Sequence, residues 1–446
     1  MGNNALSADE KICVTLAIEH KEREFASKLL LARRLVNAGA RVYLGSTEAI
    51  DAISSKLDPA IILHKSTFNA KSKKYRSLGH KFVVLDEEGG YAIPRSRIAE
   101  YCRLRYATLS PDKESLILTP NEAFSSEIRS LSDVPAVSTG WPRIELWFQK
   151  YWSLWDHEVQ AIRLQYGEFL LFTPSFGDIT RKYAAGKREN LEHWWDGNKS
   201  AKALADYVQL ISGLAPRLQK KGIQLVVRPH PSERLGDWAK ILWGIENLKI
   251  VKRGDVAPWI RASSGVLTWG SGTSVQAAVM GKKVFTYKVA PLPGLTDTIS
   301  FEIATNVEGP EEILDLVALN RDEKKISEEA RSALQNLQYE ETGVSPSSRI
   351  VEELLSIGVT PTGPLLETRG IKLRLWILNF MSQAHKIFQM IPGFPTRSHQ
   401  TVAEKIPGGI DDFQVGQLLE RIIEAEGGSV STKIRAIGRN LVMVEG

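Results

Sequence analysis

The 446-residue chain is poor in cysteine, with Cys13 and Cys102 its only two. Two thiols cannot build a disulfide framework, so the sequence reads as one suited to a reducing cytoplasm. Long apolar runs are missing as well. No stretch reaches the roughly 18 uninterrupted apolar residues that a membrane span needs, and the opening MGNNALSADEK has no apolar signal core. The chain starts Met-Gly, but position 6 is Leu6 and the serine, Ser7, comes one place late for myristoylation. Of the eight histidines, His20, His64, His80, His157, His193, His385 and His399 show neither HExxH nor Cys-His spacing, so no metal site is expected. The Gly-Lys-Ser/Thr ending of a Walker loop is absent. No nucleic-acid recognition motif is present and the basic residues are scattered, so nucleic acid is not an expected partner. The net charge of +5 suits anionic substrates or an anionic lipid surface.

What is present is a globular composition, 43% hydrophobic and 24% charged, with 34 Gly and 20 Pro. The length exceeds one ordinary core, so two domains plus extras is the expected organisation. Short apolar runs recur at helix-length intervals: 12–18, 41–45, 60–64, 81–85, 116–119 and 136–138. This pattern predicts a doubly wound parallel sheet over residues 1–150. The first intervening helix, 22–38, places Phe25, Leu29, Leu30, Leu35 and Val36 on one face, with Gly39 as its cap. Trp147, Trp152, Trp155 and Val159 have helical spacing within 144–166, so a connecting helix is expected, with the linker proper over 151–168. Runs at 169–173, 224–228, 249–251, 265–268 and 283–287, with a long helix 201–220, predict a second Rossmann-like domain over 169–340. Residues 341–446 form an extension expected to be partly helical and packed across the domains. Within it, 369–390 is basic, aromatic-rich and amphipathic, ending at the turn Ile391-Pro392-Gly393. Its ordinary reading is a helix packed across both domains, with peripheral contact with an inner membrane as the alternative.

Four clusters fall at strand ends, where open α/β sheets place their sites. Asp86-Glu87-Glu88-Gly89-Gly90 follows the strand ending at Leu85. Adjacent like charges raise one another's pKa, and a raised carboxylate is what a general base near neutral pH requires; the plain alternative is a solvated acidic turn. Arg228-Pro229-His230-Pro231-Ser232-Glu233 follows the strand 224–227. Two prolines hold His230 in a rigid turn, where it can assist a departing phosphate beside the fixed charge of Arg228. Thr268-Trp269-Gly270-Ser271-Gly272-Thr273-Ser274 leads into a helix and offers backbone N–H groups and hydroxyls to a phosphate. As a plain alternative, it is an N-capped helix start. Thr139-Gly140-Trp141-Pro142-Arg143 could line a cleft, with Arg143 facing an anion, or serve as a boundary turn. Ser175-Phe176-Gly177 could border a nucleotide. Trp194-Trp195 and Trp259 could stack on a sugar or base, although burial is the safer default.

Together, Glu87-Glu88-Gly89, His230-Pro231 and Ser271 to Ser274 resemble the D/E-D/E-G, HP and Ser/Thr motifs of bacterial sialyltransferases. Those are two-domain enzymes of GT-B architecture that use CMP-sugars. The layout is also similar to capsule and lipopolysaccharide Kdo transferases. The segment VSTGWPRIEL, Val137 to Leu146, looks like the Gly-Asn-Pro-Arg turn of surface-carbohydrate proteins, with Trp141 in place of Asn. The resemblance spans about residues 10–340. It implies two Rossmann-like domains facing across a cleft, and transfer of a Kdo- or sialic-acid-like sugar from a nucleotide-sugar donor to a glycan or glycolipid acceptor. It further implies Glu87 as base or an acid of the turn as nucleophile, His230 on the leaving CMP phosphate, and Ser271, Thr273 and Ser274 holding that phosphate. Because a CMP-sugar already carries its leaving group, no metal or other cofactor is implied. A CDP-alditol phosphotransferase, a sugar-nucleotide 2-epimerase and a non-catalytic envelope scaffold share parts of this pattern; the acidic turn argues against the first two and the full motif set against the third.

Overall fold

The computed structural model describes residues 10–67, 69–90, 93–186, 197–289, 294, 296–318, 328–336, 343–365, 369–388, 401–428 and 432–446. His193, Trp194, Trp195, His399 and the 391–393 turn lie outside the described residues. The chain divides into two compact units. One comprises the described residues within Met1–Gly89, Glu100–Leu146 and Gln338–Gly446; the other those within Gly90–Ala99 and Trp147–Leu337. Each unit is built on its own Rossmann-like sheet.

In the first unit, β1 (Cys13–Ile18), β2 (Arg41–Ser46), β3 (Ile61–His64), β4 (Lys81–Leu85), β5 (Leu116–Thr119) and β6 (Ala136–Ser138) all run parallel. Every residue of β1, β2, β3 and β5 is buried. That is why these strands read as unbroken apolar runs: helices cover both faces of a parallel sheet. The helix Lys21–Asn37 buries Phe25, Leu29, Leu30, Leu35 and Val36, as its spacing predicts, and Gly39 follows it at φ +87°. The strand order β2-β1-β3-β4-β5-β6 reverses direction between β1 and β3, and such a switch point opens a crevice at the carboxyl ends of the strands.

Two antiparallel strands, β13 (Lys433–Gly438) and β14 (Leu441–Glu445), extend this sheet beyond β2 to eight strands. The sequence pattern points only to a helical extension, so the hairpin is a feature it does not anticipate. β14 pairs with the outer edge of β2, and the glycine at position 45 is what lets the chains approach. A Cβ there would lie 2.5 Å from the Asn440 carbonyl oxygen. The helix Pro346–Ser356 also belongs to this unit. Its N-terminus is held by the buried Glu145, which accepts from the Ser347 amide (2.7 Å) and hydroxyl (3.0 Å).

In the second unit, β7 (Phe169–Thr173), β8 (Gln224–Val227), β9 (Leu248–Ile250), β10 (Gly265–Thr268), β11 (Val284–Tyr287) and β12 (Thr305–Val307) form a parallel sheet of order β12-β11-β10-β7-β8-β9. Its switch point lies between β10 and β7. An aromatic core closes around that point: Phe172 stacks on Tyr207 at 5.5 Å, and Phe176 stacks on Trp269 at 5.5 Å. The stretch 144–166 is not one helix. Pro142–Glu145 and Asp156–Tyr166 are α-helical, and Gln149–Trp155 is a 3₁₀ segment that buries Tyr151, Leu154 and Trp155. The burial of Trp147 and Trp155 explains their helix-like spacing without a continuous helix.

Gly45→Ala tests the hairpin. Overpacking at a rigid backbone contact costs about 1–3 kcal/mol, so the variant should melt earlier. Amide exchange should accelerate over 433–445 and stay unchanged in β7–β12; unchanged exchange over the hairpin would refute the close-approach argument.

Candidate functional site

In the first unit the acidic turn sits at the carboxyl end of β4, and its three carboxylates point to three different environments. Asp86 is fully buried and organises the turn. Its Oδ1 accepts from the amides of Glu88 (3.0 Å) and Gly89 (3.2 Å), and its Oδ2 from the Tyr106 hydroxyl (2.6 Å). This is an Asx-type turn, in which a short carboxylate satisfies the backbone two and three residues on. Gly89 completes it, since a Cβ at that position would lie 2.8 Å from the Phe124 ring. Glu87 points the other way into a buried ion pair with Lys28, 2.6 Å long, with 5% and 2% of the two side chains exposed. Glu88 is the outward one, 36% exposed, and is gripped by Lys65 (2.8 Å) and Arg105 (2.9 Å).

The cations decide the titration. Partial burial of Glu88 acts to raise its pKa, but Lys65 and Arg105 outweigh burial and hold it at about 2. The expected mutual raising among adjacent acids therefore does not occur at Glu88, because each side chain faces its own cation or donors rather than its neighbours. The network continues to the end of β1. There Lys65 also pairs with Glu19, which Lys405 contacts at 2.5 Å. Burial raises Glu19 and these two lysines overcome it, to about 2. His20, beside them, is pushed down to about 4 by burial and by Arg23.

The turn after β6 locks onto this cluster. The amides of Thr139 and Gly140 both donate to the Thr119 carbonyl at 3.1 Å. Trp141 is fully buried and its indole N–H donates to the Asp86 carbonyl. The tryptophan that stands where an asparagine was expected thus supplies a polar contact of its own. Arg143 lies 4.4 Å over the Trp141 ring and donates to the Glu87 carbonyl at 2.9 Å. Trp141 and Arg143 hold the acidic turn in place.

In the second unit the loops after β7 and β8 are tied together by Glu233. Its carboxylate is 2% exposed. Oε1 accepts from the amides of Phe176 (2.6 Å) and Gly177 (2.9 Å) and the Thr180 hydroxyl (3.3 Å). Oε2 accepts from the amide of His230 (3.1 Å) and the Trp238 indole (2.8 Å). Burial holds the Glu233 carboxyl above its ordinary range, and these donors offset only part of that rise. The Ser175-Phe176-Gly177 loop is thereby bonded to the His-Pro turn. Phe176 in turn stacks on Trp269 at the start of the Ser/Thr loop.

His230 is half-buried. The amide of Ser232 donates to its Nδ1 at 3.3 Å, and the Ser232 hydroxyl lies 2.8 Å from the same nitrogen. A backbone amide can only donate, so Nδ1 accepts and the proton of the neutral ring sits on Nε2. Pro231 is exposed, and Lys252 holds its carbonyl at 2.8 Å. Arg228 donates to the carbonyls of Arg253 and Gly254 at 2.8 Å and lies 5.1 Å over Trp259. Trp259 itself is buried against Tyr166 and Phe169.

Within the Ser/Thr loop the hydroxyls divide. Ser274 is fully buried and donates to the Ser271 carbonyl at 2.8 Å, while the Ser271 hydroxyl accepts from the Thr273 amide at 3.3 Å. Gly272 and Thr273 are half-buried, as is Ser175 in the loop after β7. No sequence pattern marks Lys28, Lys65 or Arg105, and although Glu233 lies within the His230 cluster, nothing local marks a glutamate as the acceptor of five bonds.

Glu233→Gln keeps the size and loses one acceptor oxygen, stranding buried donors at about 1–3 kcal/mol. Its melting temperature should fall by several degrees, whereas His230→Ala, at a half-buried position, should shift it little. Equal melting of both variants would show that Glu233 does not bind the loops together.

No protein-family model and no curated protein matches the chain. Similar solved structures include the wall teichoic acid polymerase TagF, 11% identical over 78% of this chain and 89% of that one, TM-score 0.47. They include the UDP-GlcNAc 2-epimerase of Methanocaldococcus jannaschii in complex with UDP-GlcNAc and UDP, 12% identical over 78% and 99%, TM-score 0.46. Anabaena HepE in complex with UDP-glucose is 13% identical over 78% and 99%, TM-score 0.40. Such likenesses say nothing of chemistry in this chain.

Proposed function

We propose that the chain is a nucleotide-sugar-dependent glycosyltransferase. On this reading it moves a sugar, a Kdo- or sialic-acid-like acid from a CMP-sugar, to a glycan or glycolipid acceptor of a surface polysaccharide or lipopolysaccharide. The observation that carries the reading is the Glu233 staple. It bonds the turn that carries His230, whose proton sits on Nε2, to the loop after β7, whose Phe176 stacks on Trp269 of the Ser/Thr loop. The loops after β7 and β10 flank a sheet switch point, where α/β folds bind phosphorylated ligands.

In the reaction an acceptor hydroxyl attacks the anomeric carbon, the bond from that carbon to the phosphate oxygen breaks, and the hydroxyl proton passes to a carboxylate. Negative charge grows on the departing CMP, and the Nε2–H of His230 and the mouth of the Ser271–Ser274 loop are the donors proposed to meet it. Of the acids, Asp86 is occupied by the donors of its own turn. Glu88, held near 2, is too weak a base at neutral pH. Glu87 is left as the proposed base, a role that requires its pair with Lys28 to open when the acceptor binds.

Two measurements test this reading. CMP should raise the melting temperature more than UMP or GMP, since a ligand bound only to the native state stabilises it; equal shifts with all three would sink the cytidine assignment. Glu87→Gln should lower turnover of a CMP-sugar by on the order of a hundredfold or more while the CMP-induced shift is retained. Full activity in Glu87→Gln, with loss in Glu88→Gln, would move the base by one residue. Turnover of a CDP-alditol in place of every CMP-sugar offered would replace sugar transfer by alditol-phosphate transfer.

A further inference from the structure

The helix Arg369–Phe388 has two faces, and only one packs against other described residues. Ile371 and Leu375 are buried; the helix packs on the helix Thr47–Ile53, on Val402–Lys405 and on β13, where Leu375 fills the space beside Gly438. The other face carries Leu373, Trp376, Ile377, Phe380 and Met381, exposed by 58%, 57%, 41%, 57% and 63%. Their spacing of three and four makes one continuous stripe, on which Trp376 and Phe380 stack at 5.4 Å. An apolar patch of this kind on a folded protein marks a contact surface.

Charge identifies the partner. From Thr368 to Ala403 there is no aspartate or glutamate, although the chain carries 52 in all; the same stretch holds Arg369, Lys372, Arg374, Lys386 and Arg397. Pairing this face with a second copy would bring like charges together, whereas an anionic surface complements them. Trp and Phe on one side with Lys and Arg beside them is the composition of a helix that lies in a bilayer interface. The helix is not long and apolar enough to cross a membrane.

We propose that Arg369–Phe388 docks the protein on an anionic lipid bilayer, lying in the interface with the Leu373–Met381 stripe at the acyl boundary. The helix is wired to the acidic turn. Ser382 accepts from the Ala403 amide at 2.8 Å, Lys405 of that short helix contacts Glu19, and Lys65 joins Glu19 to Glu88. If the transfer reading holds, which this one further consequence rests on, an acceptor with a lipid anchor reaches the unit that carries the proposed base.

Sedimentation of the full chain with vesicles tests the docking, with no nucleotide or acceptor present, so its outcome is independent of the transfer reading. Binding to phosphatidylcholine vesicles containing 30% phosphatidylglycerol should exceed binding to pure phosphatidylcholine by at least about tenfold, and should weaken with salt. Trp376→Gln with Phe380→Gln should lose about tenfold or more. Lys372→Gln and Arg374→Gln should each lose about fivefold. All four sites are exposed, so melting temperatures should match the parent and show that the variants fold. The proposal is overturned by absence of binding to the anionic vesicles, or by binding that the Trp376 and Phe380 changes leave intact. It is equally overturned if the parent is a dimer in solution that these changes convert to a monomer, because the stripe is then covered by a second copy.

Discussion

A buried carboxylate must find enough donors to replace its water, and Glu233 finds five. That requirement shapes the second unit around its switch point. The amides it captures come from the loops after β7 and β8, so neither loop can take another path without stranding the charge. The third loop follows by packing, since Phe176, fixed by one of those bonds, is the surface on which Trp269 stacks. Histidine, small-residue loop and the Ser175 turn are thus held at one sheet edge by a residue that contributes no reactive group there.

The first unit solves the same problem with charge in place of amides. Glu19, Glu24, Glu87 and Glu88 each have a basic partner, respectively Lys65 with Lys405, Arg23, Lys28, and Lys65 with Arg105. Removing one member of a buried pair leaves its partner's charge without compensation, which commonly costs several kcal/mol. The cluster is therefore rigid as a whole, and any chemistry at the acidic turn must involve exchange of a cation for a substrate group.

The C-terminal segment completes the first unit. β14 covers the edge of β2, which would otherwise offer unpaired backbone groups to another chain. Arg41 on β2 pairs with Glu445 at 2.9 Å, and Glu145 caps the helix Pro346–Ser356. With its inward side spent on β13 and Thr47–Ile53, the helix Arg369–Phe388 is left with an apolar stripe that nothing among the described residues covers.

The strands of both parallel sheets except β12 were legible in the sequence because burial on two faces demands apolar runs such as 169–173 and 224–227, and helix spacing between them leaves few topologies; β12, exposed at Thr305 and Asn306, carries no such run. The motif positions were legible for a related reason: glycine at 89 and prolines at 229 and 231 mark backbone that must turn sharply. The hairpin β13–β14 was not legible. Its outer strand is largely exposed, at Lys433, Arg435 and Ala436, so only the inner strand, buried over Leu441 to Val444, carries the apolar run that marks a strand, and one such run does not announce a hairpin. Nor could local pattern separate 144–166 into a 3₁₀ segment and two helices, since buried tryptophans at similar spacing serve either. The roles of the charged residues were decided by tertiary structure alone. Asp86, Glu87 and Glu88 are adjacent in the chain, but their surroundings come from Tyr106, Lys28 and Lys65, and Arg228 was drawn to the carbonyls at 253 and 254. A side chain's neighbour in sequence constrains its geometry; its pKa and its hydrogen bonds belong to whatever the fold brings beside it.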